Sequence, residues 1–128
     1  MRTLVKMNLI TAVVIIAIFT AAILVHADQN RVSQVVYITM SQACGCSAQR
    51  VKDADVVVGQ VFAGPRQALL KRIDYSTDRE AAVPYIGEYR LILLPALLFL
   101  DSQGHLLWSA IGEVKQAEVA QKLDQLNG

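Results

Sequence analysis

The chain has 128 residues and a formal net charge of +1, the length of one ordinary domain. Hydrophobic residues make up 54%, above the roughly 45–50% of a soluble domain, with the excess in the N-terminal segment. Beyond Lys6, ten basic residues stand against eleven acidic ones with no Lys/Arg block, which excludes the electrostatic footprint of a nucleic-acid binder.

Leu9 to Val25 carries no charge. Its seventeen residues would rise roughly 26 Å as a helix, and Met7 and Asn8 bring the segment to the length of a bilayer core, about 30 Å. An apolar helix with no polar face needs protein all round it, and about 100 further residues cannot enclose one. A single transmembrane helix is therefore expected. Arg2 and Lys6 flank it on the N-terminal side alone, so the N-terminus stays in the cytoplasm and the domain lies on the extracytoplasmic side. Val25-His26-Ala27 also fits a signal-peptidase site, with cleavage before Asp28 and a secreted or periplasmic product. The run exceeds a usual signal core of about 7–15 residues, which favours the anchor. The expected division is residues 1–27 as anchor or signal sequence, 28–34 as tether and 35–128 as the domain.

Val35 to Thr39 is β-branched and aromatic, a buried strand. Met40 to Gly45 is small and polar, a loop. From Cys46 the period changes: Val51, Ala54, Val58, Val61 and Phe62 fall on one helical face, and Gly64-Pro65 ends that helix. Leu69 to Tyr75 holds a second strand. Asp78 caps a helix through Glu88 or Tyr89, which Pro84 and Gly87 keep short or kinked. Leu91 to Leu100 is apolar and broken by Pro95; Asp101 to Gly104 is a turn, and His105 to Ile111 the return strand of a hairpin. Gly112 breaks that strand, and Lys115 to Leu126 closes the chain as an amphipathic helix. The order implies an α/β fold, a mixed sheet with helices on both faces.

Cys44 and Cys46 are the only cysteines. In an exported domain two cysteines commonly form a disulfide, yet one between i and i+2 closes a tiny loop and is a poor staple. The position, between a strand and a helix, points to reactivity instead. A thiol at a helix N-terminus meets unpaired N–H groups and the positive end of the macrodipole, which favours the thiolate, the nucleophile of disulfide exchange. Cys44, just before the helix, is expected to attack; Cys46, in the first turn, to resolve. Gly45 between them supplies the conformational freedom a tight ring demands. Two soft thiolates also suit Cu(I), with Met40 four residues from Cys44, so a copper-binding maturation factor is the alternative. His26 and His105 are not placed to help, and nothing supports zinc. Asp53/Asp55 and Lys71/Arg72 read as solvated faces, Trp108 as core, and Ser41 as a loop hydroxyl.

The order of elements over about Ser33 to Leu126 resembles the thioredoxin fold. Its cysteines follow the first core strand, and Leu94-Pro95-Ala96-Leu97-Leu98-Phe99-Leu100-Asp101 with Gly104 is similar to that family's segment around its cis-proline and hairpin. The resemblance implies a cis Leu94–Pro95 bond, with Leu94 and Pro95 binding an extended substrate. It also implies protein or small-molecule thiols and disulfides as partners, and no cofactor. The chain departs from the family in having one residue between the cysteines instead of two, Ala43 where a tryptophan is usual, and no acid in the Val35–Thr39 strand where thioredoxins keep a buried carboxylate. A Cys-x-Cys ring stores strain, which destabilises the oxidised form and implies a disulfide donor or isomerase more than a strong reductant.

Overall fold

The structure is a computed structural model, and it describes residues 30–127. The apolar Leu9–Val25 segment, the cleavage site at Ala27 and the first two residues of the expected tether lie outside those residues. Among the described residues no helix is long and apolar enough to cross a membrane. Packing begins earlier than the expected domain start: Val32 is buried in the core, and the Ser33 amide donates to the Leu100 carbonyl at 2.8 Å.

In chain order the elements are β1 (Gln34–Thr39), α1 (Gly45–Val61), a 3-10 helix (Gly64–Leu69), β2 (Leu70–Asp74), α2 (Arg79–Glu88), β3 (Ala96–Leu100), β4 (Leu106–Ile111) and α3 (Gln116–Asn127). The strands form one sheet in the order β2-β1-β3-β4. β1 runs parallel to β2 and antiparallel to β3, which pairs antiparallel with β4. The mixed sheet expected from the element order is therefore present.

The central strands, β1 and β3, are apolar at nearly every position because both their faces are covered. Side chains alternate between the two faces. Val35, Tyr37, Leu97 and Phe99 pack with Ala54 and Val58 of α1 and Val119 and Leu123 of α3. Val36, Ile38, Ala96 and Leu98 face the other way, onto Ala82 of α2. The three- and four-residue spacing of Val51, Ala54, Val58 and Val61 is what lets α1 lie on the first of these layers. Trp108 is part of that layer too, edge-on to Phe99 with ring centroids 5.0 Å apart.

Both ends of α2 are closed by hydrogen bonds. Asp78 caps α2 by accepting from the Ala81 amide at 3.3 Å. At its other end the Leu91 amide reaches back to the Ile86 carbonyl at 3.0 Å, with Arg90 left-handed at φ 52°, a hydrogen-bonded helix stop that turns the chain into Ile92-Leu93-Leu94.

Neither of the two charge pairs read as solvated faces is wholly so, because one member of each meets the other across the fold. The parallel register sets Arg72 beside Tyr37, and one oxygen of Asp55 accepts from the Arg72 guanidinium at 2.8 Å, the Tyr37 hydroxyl at 2.7 Å and the Thr39 hydroxyl at 3.3 Å. A carboxylate thus reaches the end of β1 from the facing helix, although the strand itself carries no acid. Burial above all raises the Tyr37 phenol pKa far above its ordinary value, and Asp55 adds to the rise against an opposing Thr39 hydrogen bond. Asp55→Ala is expected to cost about 1–3 kcal/mol because it strands a buried hydroxyl. Arg72→Ala, which removes a half-exposed ion pair, should cost under about 1 kcal/mol. Urea denaturation of the two variants checks the order; a larger loss in Arg72→Ala contradicts it.

Candidate functional site

Cys44 is the N-cap of α1, with extended backbone at φ −67° and ψ 161°, and Cys46 lies in the first helical turn. Both are exposed and reduced. Their sulfurs stand 3.0 Å apart, an S–H···S contact against about 2.05 Å for a covalent disulfide. The Ser47 hydroxyl lies 3.2 Å from Cys44 Sγ and 3.3 Å from the Cys44 carbonyl oxygen. Its single proton serves one acceptor at a time, and a thiolate is the stronger. The Ser47 hydroxyl foremost, then the Cys46 thiol and the N–H groups of the first turn, lower the Cys44 pKa from its ordinary value to about 7. The pair therefore holds a thiolate near neutral pH on the exposed sulfur at the helix N-cap.

Ser47→Ala removes the largest of these contributions. The pH profile of Cys44 alkylation by iodoacetamide, whose midpoint is expected at about 7 in the native protein, should move above about 8, toward the ordinary thiol value of about 8.5. The thiolate fraction at pH 7 then falls from about half to about a tenth. A midpoint that stays put removes Ser47 from this role.

The cysteine loop is tied to the end of β2. The Ser41 amide donates to Asp74 Oδ1 and the Gln42 amide to Ser76 Oγ, each at 3.0 Å. The Ser41 hydrogen bonds, foremost, hold the Asp74 carboxyl below its ordinary pKa. Gly45 opens α1 with open space where a Cβ would stand, and it is not among the glycines of positive φ. The dithiol conformation does not itself require glycine there.

The Leu94–Pro95 bond is cis. Pro95 is less than 2% exposed and its carbonyl accepts from the Gly112 amide at 2.7 Å, so the ring is enclosed while Leu94 remains half-buried at the surface. Gly112 is needed where it sits: its φ is +77°, and a Cβ would stand 3.3 Å from Leu93 Cδ1. Leu94 lines a cavity of about 330 Å³ together with Met40, Ser47, Arg50, Tyr75 and Ile92, among others. Ser47 thus connects the Cys44 sulfur to the cavity wall that Leu94 shares.

His105 does not join the cysteines. Its Nδ1 lies 2.9 Å from Asp101 in the β3–β4 turn, at the opposite end of the sheet from the loop that follows β1. Among the described residues no three His, Cys, Asp or Glu side chains gather as a metal site. Sequence reasoning missed Ser47, Arg50, Asp74 and Ser76. For Ser47 a signal existed: it stands three residues after the N-cap, the spacing at which a side chain reaches back to the start of its helix. For the other three there was none.

No protein-family model matches the sequence, and no curated protein matches it. Among solved structures, the chain is similar to Trxlp from Edwardsiella tarda EIB202, with a TM-score of 0.51 and 18% identity over 84% of this chain and 93% of that one. A thioredoxin-like fold with an adjacent cysteine pair is consistent with thiol–disulfide redox chemistry. The element order, the mixed sheet and this likeness agree: the chain has a thioredoxin-like fold.

Proposed function

We propose that this protein exchanges disulfides with thiol partners on the extracytoplasmic side of a membrane. The observation that carries the reading is the exposed pair of sulfurs, 3.0 Å apart at the start of α1, with Cys44 lowered to about 7. Acting as a reductant, the Cys44 thiolate attacks one sulfur of a partner disulfide, a Cys44–partner disulfide forms, and the other partner sulfur leaves as thiolate. The Cys46 thiolate then attacks Cys44 Sγ, expels the second partner sulfur and closes the Cys44–Cys46 bond. Two electrons pass from the dithiol to the partner, and the same steps in reverse deliver a disulfide. The compartment rests on the apolar N-terminal segment and its flanking Arg2 and Lys6.

The one-residue spacer favours the reverse direction, because the small ring stores strain. The test is the reduction potential of the pair together with turnover of the full-length protein on a dithiol substrate. A potential more positive than about −230 mV, the lower end of the glutaredoxin range, is expected. Turnover no greater than that of Cys44→Ser would refute the reading.

The copper-carrier alternative uses the same two thiolates. With His105 at the far end of the sheet, it would rely on the sulfurs themselves. Stoichiometric, sub-micromolar Cu(I) binding by the reduced protein, without exchange activity, would favour it.

A further inference from the structure

The cavity beside Leu94 has an unusual lining for its size. Its walls are mostly apolar, and Ile92 and Leu93 stand on the surface 84% and 51% exposed. Arg50 is the one charged side chain among its lining residues. Arg50 lies four residues after Cys46, one helical turn further along α1, with its guanidinium beside Gly112. It makes no hydrogen bond or ion pair among the described residues. An unengaged guanidinium at the edge of an apolar cavity presents a planar fork of donors matched to a carboxylate.

A second cavity shares Leu93 and Arg50 with the first, but two acids line it. Asp53 there accepts from the Gln49 side-chain Nε2 at 2.8 Å, and Glu113 pairs with Lys115 at 3.6 Å. An incoming anion meets like charge on that side and only Arg50 on the Leu94 side. Charge and apolarity therefore select the same ligand for the first cavity, an apolar group that carries a carboxylate.

We propose that the cavity lined by Arg50, Ser47 and Leu94 receives the carboxylate-bearing apolar group of the disulfide partner, with Arg50 as the residue that selects it. The proposal deepens the exchange reading by naming the partner's chemistry. Ser47 spans the site: its hydroxyl lies 3.2 Å from Cys44 Sγ, and the residue is part of the cavity lining. A group held there brings its disulfide to the attacking sulfur; the Cys44–partner bond forms as the partner's other sulfur leaves as thiolate.

Two measurements on the reduced full-length protein separate this site from the exchange chemistry. The first is the ratio of rate constants for 5,5′-dithiobis(2-nitrobenzoate), an aromatic disulfide with a carboxylate on each half, and 4,4′-dithiodipyridine, its uncharged counterpart. Arg50→Gln should lower that ratio about tenfold, and Arg50→Lys should recover part of it. Lys52→Gln, an exposed charge change on the same helix, should leave the ratio unaltered. The second is binding of 2-naphthoate, which has no disulfide to exchange. Its affinity should fall about tenfold in Arg50→Gln, while that of the uncharged 2-naphthalenemethanol should fall by less than half as much. An unaltered ratio in Arg50→Gln, an equal loss in Lys52→Gln, or naphthoate binding indifferent to Arg50 overturns the proposal. Arg50-dependent naphthoate binding with no reaction toward either disulfide keeps the site and removes the exchange reading.

Discussion

Cys46→Ser should halt exchange one step short of completion. Cys44 keeps its nucleophilicity in this variant, because a serine hydroxyl replaces the S–H group that lies 3.0 Å from Cys44 Sγ and can donate in its place. The partner is captured as before, and the mixed disulfide has no resolving sulfur. In the native protein that sulfur attacks intramolecularly, at an effective concentration far above millimolar external thiol. The mixed disulfide should therefore persist at least ~100-fold longer, long enough to appear in intact-mass spectra as protein plus partner. Cys44→Ser should capture the partner far more slowly: a serine hydroxyl is not appreciably ionised near neutral pH, and the exposed Cys46 thiol that remains lacks the Ser47 hydroxyl contact made by Cys44 Sγ. The two variants divide the roles. Capture by Cys44→Ser at the rate of the native protein, or undiminished turnover by Cys46→Ser, would reverse or abolish the assignment. The same spectra identify the partner, whose acidity and apolarity bear directly on Arg50.

Phe99→Ala should produce the largest loss of stability. Phe99 is fully buried in β3, between Val35 of β1 and Trp108 of β4 in the pairing. It meets Phe62 edge-on, with centroids 6.2 Å apart and planes at 89°, and Trp108 at 5.0 Å and 61°. Strands and helix are hydrogen-bonded around it and cannot close on the vacated volume, so a loss of about 3–5 kcal/mol is expected. Against a total of about 5–15 kcal/mol, that lowers the melting temperature by on the order of 20 °C. Thermal unfolding followed by circular dichroism measures it. Leu106→Ala, at an exposed position of β4, should shift the melting point far less. Comparable shifts in the two would show that the layer beneath α1 and α3 is not the core.

The cysteine site stands on this layer. β1 delivers the loop that Asp74 and Ser76 tie down, α1 presents its first turn, and the Gly112 amide holds the carbonyl of Pro95 at 2.7 Å. Their relative positions depend on α1 lying on the Val35–Phe99 face. Loss of Phe99 should therefore also disturb the pH profile of Cys44 alkylation at temperatures where the variant is still folded.

The sequence by itself determined the succession of elements, because residue type and period report local conformation. The run Val35–Thr39, the three- and four-residue spacing from Val51 to Phe62, Asp78 before a helix and Gly104 in a hairpin each name their element within one or two residues of its place in the structure. It also put two cysteines at the junction of a strand and a helix, where physics favours a thiolate. Tertiary structure alone decided which polar groups meet. The Ser41–Asp74 hydrogen bond joins residues 33 apart, and the Arg72–Asp55 contact joins residues 17 apart. Periodicity says which face of a helix or strand is apolar; it is silent on which register, crossover and layer will bring Arg72 to Asp55 or leave Arg50 beside an apolar cavity. Those contacts follow from the parallel pairing of β1 with β2 and from the seating of α1 on the sheet, and neither is written in any single segment.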